Sequence, residues 1–303
     1  MRWGDMRRSD NVEDRSGMPG RFGGSGMRIG VGTLLIIVVV SLLLGRNPLD
    51  LLQLLSGGGP AYQTQTQPGA PANFSPDAGP SADPQREFVA HVLGDTEDVW
   101  GGVFQQVGMR YQPPKLALYR GQVQSACGFG ATAMGPFYCP GDRYVYLDLS
   151  FFQDLSQRFG APGDFARAYV IAHEIGHHVQ NQLGLMDEVQ RKMAGASERM
   201  RNELSVRQEL QADCFAGVWG NSAAKRQLID ARDIESGIAA AAAVGDDRLQ
   251  KQARGYVVPE SFTHGSSQQR AGWFQVGLAS GDIRQCNTFA SPDLQPSARN
   301  DRR

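Results

Sequence analysis

His173-Glu174-Ile-Gly-His177 places two imidazoles four residues apart with a carboxylate beside the first. On a helix, residues four apart share a face, so both rings can point at one metal ion. Glu174, one step round, faces the ion's open coordination position instead. Two nitrogen ligands and a carboxylate base beside an activated water are what a zinc hydrolase needs. A second pair, Glu209 and Asp213, has the same spacing. Ala212, Cys214, Phe215 and Ala216 crowd it with small and apolar groups, which predicts burial, and a buried carboxylate needs a metal, a cation or a hydrogen bond. Glu209 is therefore the expected third ligand. Asp213 is expected to accept a hydrogen bond from a ligand histidine, His173 first, fixing its tautomer. Three protein ligands leave a fourth position open, as catalysis requires.

The elements that must hold these groups are helices. Asp164 follows a Pro-Gly turn and is a candidate cap, and Gly184 supplies a stop. Ala168, Tyr169, Ala172, Ile175 and Val179 give the intervening segment an apolar face. Residues 186–220 read as one further helical run, with Met193, Met200, Leu204, Leu210, Phe215, Val218 and Trp219 as its buried positions. Another helix is predicted from Asp230 to Ala243, and Ser266 with Gln269 forms a capping box for a last one through Ala279. Lys115–Tyr119 and Arg143–Leu149 are aromatic and β-branched, and read as strands. A strand just before the histidine helix could offer its edge to an extended peptide.

The chain has 303 residues and a formal net charge of −1, so no global basic field points to nucleic acid. Residues 1–26 are polar, Gly-rich and Arg-rich, and are expected to be disordered in the cytoplasm. The run Ile29 to Leu44 carries no charge, so residues 27–45 are predicted to form a single transmembrane helix. Arg2, Arg7, Arg8, Arg15, Arg21 and Arg28 precede it and only Arg46 follows closely, which places the remainder outside the cytoplasmic membrane. Residues 46–82 are a Gly/Pro/Gln/Ser-rich linker, 83–290 the folded domain, and 291–303 a loose tail.

The four cysteines lack any C-x-x-C spacing, which argues against a thiolate zinc site. An oxidising compartment would allow Cys127 to pair with Cys139 across a short Gly-rich loop, leaving Cys214 for Cys286. His91 and His178 read as structural histidines.

The segments GPFYCPGDRYVYLDLSFF, AYVIAHEIGHHVQ, ELQADCFAGVW and THGSSQQRAGWFQVGL together resemble the bacterial, membrane-anchored neutral zinc metallopeptidase family, with H-E-x-x-H followed by E-x-x-x-D in the gluzincin manner. The resemblance covers roughly residues 83–289. It implies an α+β fold, mainly helical and zincin-like with a small β-sheet, preceded by the transmembrane helix. It also implies a membrane-anchored peptidase that takes Zn2+ as cofactor and acts on extracytoplasmic proteins or peptides, with Glu174 as general base. His264 is then the candidate oxyanion donor and Tyr256 its alternative, since such enzymes draw this group from a later segment. Arg270 could pair with Asp213 or with substrate. The competing reading is a catalytically inactive peptide-binding or regulatory module.

Overall fold

The computed structural model describes residues 1–16, 83–131, 135–291 and 294. The helices are α1 (Pro84–Gln106), α2 (Phe151–Gln157), α3 (Asp164–Gln182), α4 (Leu185–Met193), α5 (Glu198–Lys225), α6 (Ala231–Ala243), α7 (Asp246–Arg254) and α8 (Ser267–Ser280). The strands are β1 (Val12–Asp14), β2 (Lys115–Tyr119), β3 (Gln122–Ser125), β4 (Gly128–Ala131), β5 (Phe137–Cys139) and β6 (Tyr144–Asp148). The fold is α+β and mainly helical, as expected.

The main sheet has the order β1-β2-β6-β5, with β1, β2 and β6 parallel and β5 antiparallel to β6. β3 and β4 form a separate hairpin. Leu116, Leu118, Val145 and Leu147 alternate toward the main core, while Tyr119 and Tyr146 face a second, smaller cluster. Because β6 is paired on both sides, it has no free edge for a peptide; the sheet's outer strands are β1 and β5.

α3 runs through the centre of the helical layer and packs on α5, α6 and α1. Its buried face carries Phe165, Tyr169, Ile175 and Val179, and Phe165 stacks on Trp219 of α5 with ring centroids 5.7 Å apart. Asp164 is the first helical residue; Gly163, at φ 112°, takes the cap position, a conformation that favours glycine. Gly184, at φ 73°, follows the helix end. α5 crosses α8 where Gly217 and Gly277 meet. A Cβ on Gly217 would strike the Phe274 carbonyl oxygen, and one on Gly277 the Cys214 carbonyl oxygen. The predicted run 186–220 is two helices: Gly195 turns the chain at φ 79°, and Ser197 restarts it by accepting a hydrogen bond from the Met200 amide. Met200 is consequently exposed, not core. The capping boxes at Asp230 and at Ser266 with Gln269 both form. Both expected disulfides, Cys127–Cys139 and Cys214–Cys286, are present.

The N-terminal expectation is overturned. Residues 1–16 are folded: β1 pairs with β2, and the Met1 amine sits against Asp233 at 2.8 Å. Arg7 bridges Glu97 and Asp98, Arg8 bridges Glu87, and Arg15 pairs with Glu13 while lying over the Tyr144 ring. These arginines, read as a topology signal, are the partners of acidic groups on α1 and β1. The single-pass arrangement falls with that observation, because one crossing would put residues 1–16 and the helical domain on opposite sides of a bilayer. Among the described residues no helix is long and apolar enough to cross a membrane. The predicted segment 27–45 and the linker 46–82 lie outside the described residues, as does nearly all of 291–303.

Glu97 is the anchor of this N-terminal strap. Its carboxylate accepts from Arg7 Nη2 at 2.7 Å, Ser9 Oγ at 2.7 Å and Asn11 Nδ2 at 2.8 Å. Replacing Glu97 with Ala leaves those donors unpaired and is expected to cost about 3 kcal/mol, read by urea unfolding. Brief trypsin treatment should then cut at Arg7 and Arg8 in the variant while sparing the native chain.

Candidate metal centre

α3 supplies His173, Glu174 and His177 on adjoining turns, and α5 supplies Glu209 and Asp213 on the facing side. The two helices can approach because Gly176 lies between the ligand positions. A Cβ there would come within 2.8 Å of the Ala212 carbonyl oxygen. Any side chain at 176 would push α5, and with it Glu209, away from the histidines.

The three expected ligands converge. His173 Nε2 lies 3.2 Å from Glu209 Oε2, and His177 Nε2 lies 3.3 Å from Glu209 Oε1. One donor atom from each falls within 4.8 Å of the others, a group that could hold a single ion. Both rings turn Nε2 inward, so each Nδ1 must find a partner in the protein. His173 Nδ1 donates to Asp213 Oδ1 at 2.8 Å, the contact anticipated for Asp213. His177 Nδ1 donates to Gln180 Oε1 at 2.9 Å.

Asp213 is completely buried, and both of its oxygens accept hydrogen bonds. Besides His173, the Tyr169 hydroxyl donates to Oδ1 at 2.6 Å. Arg270 donates from Nε to Oδ2 at 2.9 Å and from Nη2 to Oδ1 at 3.0 Å, a forked pair. Burial pushes the Asp213 pKa up, but the Arg270 and His173 charges outweigh it and hold the carboxylate below its usual range. Burial likewise opposes ionisation of Glu209, and the two imidazoles overcome it. For His173 burial alone would lower the pKa; Asp213 and Glu209 raise it to about 10. The cluster thus calls for positive charge at the point where three donor atoms meet. Two imidazole nitrogens and a carboxylate oxygen suit zinc, which meets that demand.

Glu174 is buried beside the cluster, and among the described residues its carboxylate accepts no hydrogen bond and joins no ion pair. His264 sits in the loop between Pro259–Ser261 and α8. Its side chain is about half exposed at 51%, and Nδ1 lies 3.2 Å from Asp246 Oδ1. The hydrogen bond to Asp246 raises its pKa; burial opposes, and the nearby Glu209 charge adds to the rise. Tyr256 is 60% exposed and lies under the Arg254 guanidinium at 5.0 Å, with no contact to the ligands. His178 is buried on the other side of α3, between the Tyr138 hydroxyl at 3.0 Å and the Gln112 carbonyl at 2.7 Å. His91 contacts the Met6 carbonyl, a structural role.

The sequence reading left out Tyr169 and Gln180, which orient Asp213 and His177. Each has a helical signal: Tyr169 is four residues before His173 and Gln180 three after His177, so each shares a face with the histidine it serves.

A family model described as "Putative neutral zinc metallopeptidase" matches residues 1–289. The match begins at the first residue, so the N-terminal strand falls within the family's domain and does not stand apart as an extension. The chain is 48% identical over 293 residues to "Uncharacterized protein YpfJ" of Escherichia coli K12, covering 95% of this chain and 99% of the relative. It is 40% identical over 262 residues to "Uncharacterized protein Mb2605" of Mycobacterium bovis and to "Uncharacterized protein Rv2575" of Mycobacterium tuberculosis, covering 83% of each chain. No solved structure matches.

Two measurements probe this centre. Asp213→Asn keeps the shape but weakens the hold on His173 Nδ1–H, and zinc affinity should fall about 10- to 100-fold in competition with a chromogenic chelator. His178 gives a pH signature. Burial lowers its pKa from 6.5 to about 4, so the unfolded chain binds more protons between those values. Stability should therefore fall as pH drops from 6.5 toward 4, by up to about 3 kcal/mol, and His178→Gln should flatten that slope in denaturant titrations.

Proposed function

Because the chain belongs to the family so described, the neutral zinc metallopeptidases, we propose that it is a zinc-dependent peptidase acting on proteins or peptides, with His173, His177 and Glu209 as ligands and Glu174 as general base. The single observation that carries this reading is the convergence of those three donor sets beside an unengaged, buried carboxylate. A closed structural site would use a fourth protein ligand, and among the described residues the cluster has three.

Zinc, when bound, supplies a Lewis acid for the scissile carbonyl and lowers the pKa of a water. The rest is done by this chain's own groups. Glu174 takes the proton of the attacking water as its oxygen bonds to the carbonyl carbon. It then delivers that proton to the amide nitrogen as the C–N bond breaks, and the second proton of the water follows from the new hydroxyl, so the products are a carboxylate and an ammonium. Glu174 can do this because no neighbour holds its oxygens. His264, whose protonated form the Asp246 carboxylate favours, donates a hydrogen bond to the oxyanion that forms on the carbonyl oxygen. Its half-exposed position suits a group that must reach a substrate entering from solvent. Arg270 serves Asp213 and not the substrate: it is buried, and its donors are spent on Asp213, Tyr169 and the Val244 carbonyl.

The test is a matched set of variants assayed on a generic unfolded protein substrate such as casein. Glu174→Gln should keep stoichiometric zinc and lose at least ~1000-fold in kcat/KM, whereas a peptide-holding module would show no cleavage before or after the change. His264→Ala should lower kcat by about 100-fold with little change in KM, the signature of a group engaged in the transition state. A strong chelator should abolish turnover, and added zinc should restore it.

A further inference from the structure

The two ligand histidines are oriented by different chemistry. His173 leans on a charged network, Asp213 with Arg270. His177 leans on a neutral one, built of two glutamine side chains in series. Gln180 Oε1 accepts from His177 Nδ1, and Gln180 Nε2 donates to the Gln208 carbonyl at 2.7 Å and to Gln211 Oε1 at 3.0 Å. Gln211 Nε2 donates in turn to the Cys286 carbonyl at 3.0 Å. Both amides are buried.

The direction of this chain is forced at its ends. A backbone carbonyl only accepts, so Cys286 requires the NH2 group of Gln211, which leaves the Gln211 oxygen facing Gln180. The Gln208 carbonyl and that oxygen together require the NH2 of Gln180, which leaves its oxygen facing His177. The imidazole must then carry its proton on Nδ1 and present the Nε2 lone pair to the metal position. Turning either amide over would set two donors or two acceptors against each other without water to relieve them.

The far end is held covalently. Cys286 is bonded to Cys214 on α5, five residues beyond Glu209. The segment after it is clamped to the same helix, where Arg207 Nη1 donates to the Thr288 carbonyl at 2.6 Å and to the Ser291 carbonyl at 2.7 Å. We infer that Gln180 and Gln211 form a positioning relay that sets the tautomer of His177 from the disulfide-anchored Cys286 segment, so that zinc affinity depends on a residue, Gln211, that touches no ligand. The inference rests on reading His177 as a zinc ligand but not on the chain being a peptidase.

A double-mutant cycle on the full chain tests it. Zinc affinity is read by chelator competition for the native protein, Gln180→Met, Gln211→Met and the double variant, and thermal unfolding of the metal-free proteins reports the fold separately. Gln180→Met should bind zinc about 10- to 100-fold more weakly. Gln211→Met should lose roughly 3- to 10-fold, the worth of one neutral hydrogen bond. The double variant should be no weaker than Gln180→Met, because the outer link has no route to His177 once the inner one is cut. Additive losses, or a Gln211→Met affinity within about twofold of native, would overturn the relay. Nitrogen-15 NMR of the metal-free protein supplies an arm that needs neither Gln180→Met nor zinc binding. The His177 Nδ1–H should be held in its hydrogen bond to Gln180 and exchange slowly with solvent in the native chain, and exchange faster in Gln211→Met; an unchanged rate would also overturn the relay.

Discussion

Asp213 is the point on which the rest of the structure depends. A carboxylate with no solvent access stays ionised only where donors and positive charge replace water. Tyr169 and His173 from α3 and Arg270 from α8 all converge on this one α5 side chain. Each therefore has a fixed place relative to the others. Moving α8 would strand the Arg270 charge, and rotating α3 would strand both its donors. The same contacts that satisfy the buried charge turn His173 Nε2 toward Glu209, so the ionic balance of the core and the geometry of the candidate metal centre are a single constraint.

That constraint works only because the helices touch. Side chains normally keep helix axes 8–10 Å apart, and short polar groups such as Asp cannot bridge a wide gap. Gly176 admits the Ala212 backbone against α3, and the Gly217–Gly277 contact lets α8 lie directly on α5. The disulfide Cys214–Cys286 sits at the same crossing and ties the chain after α8 back to α5. Close approach, covalent closure and charge satisfaction thus coincide within about two turns of α5.

How much of this was legible follows from the range of the signals. His173, His177, Glu209 and Asp213 were readable because each pair obeys helical spacing within one element, and burial of Asp213 could be inferred from its small apolar neighbours. The helix start at Asp230 and the capping box at Ser266 were readable for the same local reason. β1 was not. Three residues of Val-Glu-Asp carry no periodicity, and their strand identity comes from pairing with β2, about a hundred positions along. Arg7, Arg8 and Arg15 looked like solvated charge because their partners Glu97, Asp98 and Glu87 lie on another element, and Glu13 is useful to Arg15 only once β1 is in place. α7 was missed because its sequence, DDRLQKQAR, has almost no apolar face; it is held by its first turn, where Asp246 accepts from the His264 loop and Asp247 accepts from Ser267.

The position of α7 explains a division within the site. Every group behind the metal position is buried and hydrogen-bonded, so nothing there can adapt without leaving a polar atom unpaired. The front is different: His264 stands half exposed on a loop whose backbone amides at Thr263, His264 and Gly265 all donate to one carboxylate, Asp246. That carboxylate shapes the loop and raises the pKa of the histidine together. Under the proposed function a substrate would meet the buried His173–His177–Glu209 cluster on one side and, on the other, His264, whose placement is decided by one residue at the start of a short polar helix. In the proposed peptidase, orientation of the ligands and engagement of the substrate belong to separate elements, so substitutions in the loop would alter what is bound without disturbing the metal position.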